Sequence, residues 1–502
     1  MIINKYIFVF NNSLIFFIYY GIMLLITFRK KVLDMKYRIE RDSLGELQIP
    51  QEAYYGIHSL RSHNNFDITK RGLSRQMIKA LAIVKKAAAK ANSDADNLDL
   101  KIAKAIMTAC DEILNGKLHG QFITDLIQGG AGTSINMNAN EVIANRANEI
   151  LGGKKGVYDH VHPMDHVNMS QSTNDVVQTA GKIAVTKQIK KLIVELKKLQ
   201  NAFIDRSNEF KDIVKIGRTH MQEAVPVTIG QEFASYASVL GRDLKRLDQA
   251  IDALSYVNMG ATAIGTGLNA NEKYMKKVIT YLNKYSGETI LAAKDLIDAS
   301  SNIDAYAYAS SVIKVLSINL SKIANDIRLL SSTSIHEIIL PKVQQGSSII
   351  PGKYNPVIPE VVNQVSYLVM GLDLSITNAV EAGQLEMNVF QPVILMCLFD
   401  ELTNIRHAVR AFNNLAIAGL EIDKEACQKE IDNSYALLTA LIPHLGYDLT
   451  YSIADEAKQA NKNIKELIME KGLMKEKELD KIINPLKMTN PGILGEEILK
   501  EK

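Results

Sequence analysis

The chain has 502 residues, of which 47% are hydrophobic and 23% charged, a composition typical of globular proteins rather than disordered or fibrous ones. The 58 Lys and Arg residues nearly balance the 55 Asp and Glu residues, so the formal net charge of +3 gives no indication of a nucleic-acid partner. Three widely separated cysteines, Cys110, Cys397 and Cys427, indicate neither a disulfide framework nor a CxxC metal site. We therefore expect reduced thiols in a cytoplasmic protein.

Residues 6–28 form a strongly apolar segment that is followed by a basic cluster at residues 29–31. The segment is nearly long enough to span a bilayer, although two asparagines interrupt it and no small-residue cleavage site follows. Two interpretations remain open: a membrane anchor, or upstream sequence translated from a start codon placed too early. Because polar, globular sequence begins at Met35, we favour the second interpretation for residues 1–34 and expect no membrane partner.

Residues 35–172 mix short amphipathic helices with Gly- and Asn-rich turns and form the first predicted domain. Residues 173–426 contain three long segments whose apolar residues are spaced alternately three and four apart, which predicts helices with one apolar stripe each. The three stripes are Val185, Ile189, Leu192, Leu196, Leu199 and Phe203; Leu240, Leu244, Leu247, Ile251 and Leu254; and Ile313, Leu316, Leu320, Ile323, Ile327 and Leu330. This pattern predicts a central helical bundle that associates into a homo-oligomer. Residues 427–502 form a small C-terminal helical domain in this prediction.

A long irregular loop is predicted at residues 345–360, QGSSIIPGKYNPVIPE, because two glycines and three prolines exclude a regular helix. It carries two adjacent hydroxyls, Ser347 and Ser348, followed by the cation of Lys353 and the amide of Asn355. A serine next to glycine is a candidate base or nucleophile, and lysine and asparagine are suited to binding a carboxylate. A GSS tripeptide alone would be an ordinary turn.

Three further segments combine hydroxyl, amide and imidazole side chains. They are residues 130–138, GAGTSINMN, with Thr133; residues 166–175, HVNMSQSTND, with Ser172, Thr173 and Asn174; and residues 217–222, GRTHMQ, with Thr219 and His220. Taken singly, each has a structural explanation. Ser172 to Asn174 would form a helix N-cap, His220 would be a hydrogen-bonded core histidine, and Asn136 and Asn138 would hold loop backbone.

Taken together, the four segments resemble, in the same order, the active-site segments of the aspartase/fumarase superfamily. The loop is similar to the GSSxMPxKxNP signature of that superfamily, with Ile350 at the usual Met position. The resemblance covers residues 37 to about 480. It implies an all-α, three-domain fold whose central bundle assembles into a tetrameric core of about 20 helices. It also implies that each active site draws its segments from three subunits.

The details of these segments favour an enzyme that acts on an amino acid. Ala131, Ser134 and Thr173 resemble the ammonia-lyase branch, whereas fumarases tend to have GSGTQ in the first segment and serine at the position of Thr173. We therefore expect a carbon–nitrogen lyase that reversibly converts L-aspartate to fumarate and ammonium. A class II fumarase is the alternative, and a non-enzymatic, crystallin-like member is a remote one.

The resemblance also implies roles for individual residues. Removal of a proton beside the β-carboxylate creates an enediolate, which requires converging hydrogen-bond donors, and Ser347 is the expected general base. The other implied roles are binding of the β-carboxylate by Thr133, Ser172, Thr173 and Ser348, binding of the α-carboxylate by Lys353 and Asn355, contact with the amino group by Asn174, Thr219 and His220, and orientation of His220 by Glu360.

No organic cofactor is expected, because the glycine-rich segment at residues 260–267, GATAIGTG, lacks the GxGxxG arrangement. We interpret that segment as a site of close helix packing. Some members of the superfamily are activated by magnesium, so the resemblance leaves Mg²⁺ activation open. Residues 160–166 contain three histidines and an aspartate, but we do not interpret them as a metal site.

Overall fold

The computed structural model describes residues 36–460 and 462–500, so the predicted N-terminal extension lies outside the described residues. The fold is 63% helical with little sheet, which confirms the predicted mainly α class. Within the described ranges, no helix is both long enough and apolar enough to cross a membrane.

The chain groups into two compact units. The first comprises residues up to Ala184 together with Ser255–Ile303 and Ala382–Met396, and the second comprises Val185–Leu254, Asp304–Glu381 and the residues from Cys397 onward. The predicted division at residues 172 and 426 is a different partition of the chain and stays a prediction.

The first unit begins with an antiparallel strand pair, followed by four helices. The elements are β1 (Tyr37–Asp42), β2 (Gly45–Pro50), α1 (Ile57–Asn65), α2 (Arg75–Asp94), α3 (Leu100–Leu114) and α4 (Thr133–Ile150). Helix α2 begins after Ser74, whose hydroxyl accepts a hydrogen bond from Met77 N. Helix α2 packs against α3 and buries most of its length, including the side chain of Lys85.

Helix α5 (Thr173–Glu209) begins in the first unit and ends in the second. All six residues of its predicted stripe are completely buried, which confirms that prediction. A β-hairpin follows, formed by β3 (Val214–Thr219) and β4 (Gln222–Thr228), and then α6 (Ile229–Ser255). In α6 the predicted stripe is only partly correct. Leu244 and Ile251, which we expected to be buried, are half-buried, and the residues that precede them, Asp243 and Ala250, are buried instead.

The chain then returns to the first unit with four short elements. They are β5 (Tyr256–Val257), α7 (Glu272–Ser286), β6 (Leu291–Ala292), which pairs in parallel with β5, and α8 (Leu296–Ser301). Asn271 caps α7 by accepting from Tyr274 N at 2.8 Å, and Gly287, with a φ of 69°, ends it. Helix α7 packs along α2.

The second unit is built around two long helices that pack against each other, α9 (Asp304–Leu330) and α10 (Val357–Glu381). The predicted stripe of α9 is buried along its whole length, as expected. The irregular loop ends at residue 356 rather than 360, because VIPE forms the first turn of α10. Pro359 is compatible with that turn, where a backbone N–H has no intrahelical partner.

The remaining elements continue the second unit, apart from the first residues of α11. They are β7 (Ile338–Ile339), α11 (Gln391–Phe412), β8 (Glu421–Ile422), which pairs with β7, α12 (Lys424–Asn433), α13 (Ile442–Leu445), α14 (Tyr447–Ala460), α15 (Ile464–Glu470), α16 (Glu476–Ile482) and α17 (Glu496–Lys500). A separate apolar cluster, which includes Leu441, Ile453 and Ile468, holds the C-terminal helices together.

Candidate active site

Two helix N-termini lie side by side in the first unit. Thr133 is the first residue of α4, and Ser172 and Thr173 lie at the start of α5, where the Ser172 hydroxyl accepts from Asn174 N at 3.3 Å. Asn136 joins the two helices, because its amide donates to the Thr173 hydroxyl at 3.3 Å. The structure therefore brings Thr133, Ser172 and Thr173 together where two helix dipoles present their positive ends, a setting that favours a bound carboxylate.

The backbone before Thr133 has an unusual conformation. Gly130, Ala131 and Gly132 have successive positive φ values of 85°, 57° and 89°. A Cβ on Gly132 would lie 2.9 Å from Val177 Cγ1, so only glycine allows α4 and α5 to approach this closely. The positive φ of Ala131 carries a steric cost for a residue with a Cβ.

A buried polar network lies beneath these two N-termini. Lys85 is completely buried, and its ammonium donates to Asn168 Oδ1 at 2.9 Å and to Gln171 Oε1 at 3.0 Å. Asn136 also donates to Asn168 Oδ1, at 3.1 Å. Asn136 therefore contacts side chains rather than loop backbone, contrary to the prediction. Asn138 does hold loop backbone as predicted: its Oδ1 accepts from Ile123 N, and its Nδ2 donates to Gln121 O.

Asp175 connects the start of α5 to the glycine-rich segment. Its carboxylate accepts from Ser172 N at 2.9 Å and from Gly260 N and Thr262 N, both at 3.2 Å. Asn174 adds a second connection, since its amide donates to the carbonyl of Ala263 at 2.6 Å. Residues 260–267 are thus a loop that supports the Ser172–Asp175 segment.

The interpretation of residues 260–267 as a site of close helix packing is supported at Gly260 and at Gly265, since a Cβ on Gly260 would lie 3.1 Å from Met275 Cγ of α7. A Cβ on Gly265 would lie 2.4 Å from Ile297 Cα of α8, so close packing against a helix does occur there. Gly260, Gly265 and Gly267 have φ values of 97°, 103° and 70°, because the segment turns repeatedly.

The pKa values of the two buried charged groups, Asp175 and Lys85, are shifted from their ordinary values. Burial raises the pKa of Asp175 to about 6, although three backbone N–H donors and the charge of Lys85 act to lower it. Burial also lowers the pKa of Lys85 to about 7, although the negative charge of Asp175 acts to raise it. Both groups therefore titrate close to neutral pH.

In the second unit, Thr219 and His220 form the tip of the β3–β4 hairpin. His220 and Met221 are its two turn residues, with φ values of 54° and 62°, and the strand register shifts at Gly217. Such a two-residue turn usually contains Asn-Gly, so a histidine there is held in a strained conformation. Thr219 and His220 are both exposed in the single chain.

Hydrogen bonds join the two ends of the serine loop and hold the side chain of Ser347, the candidate proton acceptor. Gly346 N donates to Lys353 O at 2.9 Å, and the Asn355 amide donates to Gly346 O at 2.8 Å. Ser347 Oγ accepts from two backbone donors, Ile349 N at 3.2 Å and Ile350 N at 3.0 Å. Two such donors would stabilise an alkoxide on this oxygen.

The other residues of the loop differ in their surroundings. Ser348 and Lys353 are exposed, whereas Asn355 is half-buried and fixes the base of the loop as described above. Glu360 lies in the first turn of α10, and within the described part of this single chain it makes no hydrogen bond or ion pair with His220. The substrate roles of these four residues stay predictions.

The histidine-containing segment at residues 160–166 is held by local contacts. His162 N donates to His166 Nδ1 at 2.9 Å, and His162 Nδ1 lies 3.0 Å from a carboxylate oxygen of Asp165. Across residues 36–460 and 462–500, no group of three or more His, Cys, Asp or Glu side chains is arranged to hold a metal ion.

Comparison with known proteins identifies the family of the chain. The family described as Lyase matches residues 45–371, and the family described as Fumarase C C-terminus matches residues 437–490. The chain belongs to the aspartase/fumarase superfamily of lyases, as the sequence predicts.

Among its curated relatives are aspartate ammonia-lyases. The protein from Bacillus subtilis (strain 168) is 48% identical, over 93% of this chain and 99% of the relative, and that from Helicobacter pylori (strain J99 / ATCC 700824) is 44% identical, over 90% and 98%. The solved structure of a fumarate lyase:delta crystallin from Brucella melitensis bound to cobalt is 44% identical with a TM-score of 0.89, covering 91% of this chain and 100% of that one. A class II fumarase from Schistosoma mansoni is 32% identical, with a TM-score of 0.87 and the same coverage.

Lys85 and Asp175 are functional candidates that the sequence motifs did not indicate. A signal for Lys85 was available, because it occupies an apolar position of α2 together with Leu81, Val84 and Ala88 at helical spacing. A charged residue in such a stripe needs a buried partner. Asp175 also gave a local signal, the Ser-x-x-Asp spacing of a capping box with Ser172, but its donors at residues 260 and 262 are distant in sequence.

Proposed function

We propose that the chain is an aspartate ammonia-lyase that reversibly converts L-aspartate to fumarate and ammonium, with Ser347 as the general base. The observation that carries the assignment of the reaction is the 43–48% identity to several curated aspartate ammonia-lyases over nearly the whole chain. The predicted class of enzyme, a carbon–nitrogen lyase, is confirmed by these relatives and by the family match.

The surroundings of Ser347 support its assignment as the base. Its alkoxide would take the proton from the carbon beside the β-carboxylate, and the electron pair of that C–H bond would move into an enediolate. Collapse of the enediolate forms the C=C bond and expels the amine, which leaves as ammonium after protonation. The N–H groups of Ile349 and Ile350, which donate to Ser347 Oγ, would stabilise its alkoxide form relative to the neutral hydroxyl.

The two helix N-termini support the assignment of the β-carboxylate site. An enediolate carries two negative charges on that group, and the positive ends of α4 and α5 interact more strongly with it than with the monoanionic substrate. Ser172, Thr173 and Ser348 would add hydroxyl donors, and Thr133 would add a fourth by turning its hydroxyl away from Gly130 O, to which it donates at 2.7 Å. Lys353 and Asn355 would bind the α-carboxylate, and Asn174, Thr219 and His220 would surround the amino group.

We also propose that the enzyme is a cytoplasmic homotetramer whose active sites each draw on three subunits. Exposed apolar side chains on α10 support the assembly: in the single chain Tyr367 is 59% exposed, Leu368 49% and Leu374 61%. A monomeric protein rarely exposes a row of large apolar residues along one helix. The buried, separate cysteines are consistent with a reducing compartment.

Replacement of the base tests the mechanism. The Ser347→Ala variant is expected to lose at least about 1,000-fold in kcat with L-aspartate, while its oligomeric mass and melting temperature stay those of the wild type. A matched control is Ser452→Ala, which removes an exposed hydroxyl from α14. Near-normal turnover by Ser347→Ala in an intact oligomer would show that another group is the base.

Mixing two inactive variants tests the shared active sites. Ser347→Ala and Asn174→Ala alter segments that we assign to different subunits. Unfolding and refolding the two together should restore roughly a quarter of the wild-type activity, because random assembly places both native segments at that fraction of sites. No recovery from correctly sized mixed oligomers would contradict the sharing of sites.

A further inference from the structure

The carboxylate of Glu337 is completely buried and contacts strand β3, which ends at the candidate residues Thr219 and His220. Glu337 directly precedes β7, and from there the chain leads to the serine loop ten residues later. Both of its oxygens are paired with cations of β3: Lys215 Nζ at 2.7 Å and an Arg218 guanidinium nitrogen at 2.6 Å. Lys215 is itself buried, so these charges have little access to water.

The cations concerned belong to the strand that ends at the candidate residues. Arg218 is followed immediately by Thr219 and then by His220, so its guanidinium anchors β3 directly before the hairpin tip. Arg218 is bound on its other side by Glu430 of α12, and Lys215 is also paired with Glu232 of α6 at 3.1 Å. Glu337 is thus the central anion of a cluster that anchors β3.

The backbone of Glu337 is also fixed. Its N–H donates to Leu330 O at the end of α9, and its carbonyl accepts from Asp423 N, both at 3.0 Å. Burial acts to raise the pKa of Glu337, but the charge of Lys215 and hydrogen bonds from Glu430, Lys215 and Arg218 hold it below its usual value. Burial and the neighbouring Glu337 raise the pKa of Glu430, so Glu337 is the carboxyl of this pair that keeps its charge more readily. A permanent, rigidly held charge is well suited to positioning, because its partners cannot relax into water.

We infer that Glu337 is a positioning residue for catalysis, whose buried carboxylate holds Arg218 and thereby sets the location of Thr219 and His220. It does not contact substrate. The inference goes beyond the proposed function and rests on it only for the kinetic consequence. The same carboxylate fixes the start of the segment that leads to Ser347, so its loss disturbs two groups of candidate residues at once.

The test compares isosteric and conservative variants. Glu337→Gln keeps the shape but removes the charge, and Glu337→Asp keeps the charge. The matched control is Glu401→Gln, because Glu401 is a completely buried glutamate of α11 in the same unit that hydrogen-bonds Ser310 at 3.0 Å and belongs to a different cluster. Measurements are kcat and KM with L-aspartate, and hydrogen exchange of residues 217–223 and 337–346 followed by mass spectrometry.

We expect Glu337→Gln to lower kcat by about 100-fold, with a smaller change in KM and with faster exchange in both segments, since misplacement of reacting groups by about 1 Å has an effect of this size. Glu337→Asp should recover at least about a tenth of the wild-type kcat, and Glu401→Gln should stay within about twofold of it. A folded Glu337→Gln variant with a lowered melting temperature but wild-type kcat and exchange would reduce Glu337 to a structural role and overturn the inference.

A second variant decides the question if Glu337→Gln does not fold. Arg218→Lys keeps the positive charge but loses the fork that joins Glu337 and Glu430. Faster exchange at residues 217–223 with at least about a tenfold loss in kcat would support the inference, and unchanged values would overturn it. If the wild type makes no fumarate from L-aspartate, the proposed function fails, whereas the exchange measurements still test the positioning of the hairpin.

Discussion

Lys85 and Asp175 stabilise each other's charged form beneath the start of α5, while burial acts against both charges. Asp175 also accepts three backbone hydrogen bonds, and these determine the path of the chain from Ser172 to Asn174. The pair therefore links a buried charge to the geometry of the candidate carboxylate site.

The Asp175→Asn substitution should weaken both the charge interaction with Lys85 and the backbone hydrogen bonds that Asp175 accepts. An amide cannot balance the charge of Lys85 and presents one oxygen in place of two, so at least one backbone donor loses its partner. We expect a loss of about 3 kcal/mol in the free energy of unfolding and at least a tenfold fall in kcat/KM for L-aspartate. Asp67→Asn, which alters an exposed carboxylate of the first unit, is the control and should change neither. Wild-type kcat/KM in Asp175→Asn would show that the segment holds its shape without the carboxylate.

The lowered pKa of Lys85 should make the free energy of unfolding depend on pH. Its folded pKa of about 7 is below the ordinary value of 10.5, so the unfolded chain binds more protons between these values and stability rises with pH in that window. The Lys85→Met variant lacks this titration. The wild type should therefore gain, relative to Lys85→Met, up to about 2.7 kcal/mol between pH 7 and pH 9, or 1.36 kcal/mol per pH unit. Denaturant unfolding at both pH values, with the exposed Lys101→Met as control, measures this difference. A constant difference between wild type and variant would refute the shifted titration.

The raised pKa of Glu401 should have the opposite effect, a loss of folding stability as pH rises. Burial, together with the nearby charge of Asp373, raises its pKa to about 9, so the stability present below its ordinary pKa of 4.5 is lost as pH rises toward 9. Glu401→Gln does not titrate, so its stability relative to the wild type should increase by up to about 4 kcal/mol between pH 5 and pH 8. The exposed Glu425→Gln variant should show no such trend. A pH-independent difference for Glu401→Gln would mean that Glu401 is ionised in the folded protein.

The base of the serine loop should tolerate only glycine at position 346. A Cβ there would lie 2.5 Å from Lys353 O, so Gly346→Ala must open the contact that closes the loop. We expect at least a tenfold fall in kcat with a melting temperature close to that of the wild type, because the loop is a surface feature. Gly120→Ala, where a Cβ meets nothing within 4 Å, is the control. An unchanged kcat in Gly346→Ala would separate loop closure from catalysis.

Local patterns in the sequence predicted much of the fold. The stripes of α5 and α9 were predicted residue by residue, because each apolar position faces a neighbouring helix. In α6 the prediction was less accurate, since Asp243 is buried through its hydrogen bonds with Asn319, a pairing that periodicity does not record. The β3–β4 hairpin was not predicted, because its turn residues, His220 and Met221, lack the usual Asn-Gly signature.

The candidate site was predictable where its chemistry lies in short segments. The GSS loop and the segments with Thr133, Ser172 and His220 were found because each resembles a known motif. Lys85 and Asp175 could have been singled out from a charge in an apolar stripe and from a Ser-x-x-Asp pattern, respectively. Their roles, and that of Glu337, could not be predicted, because the partners that define these roles are far away along the chain.

The central claim is tested most directly by the fumarate absorbance band, recorded with the full-length protein after addition of L-aspartate and, separately, of L-malate. Fumarate and an equal amount of ammonium from L-aspartate, with none from L-malate, is the result that we predict. Fumarate from L-malate alone would contradict the account, since the chain would then be a fumarase and Ala131 and Thr173 would not mark an ammonia-lyase.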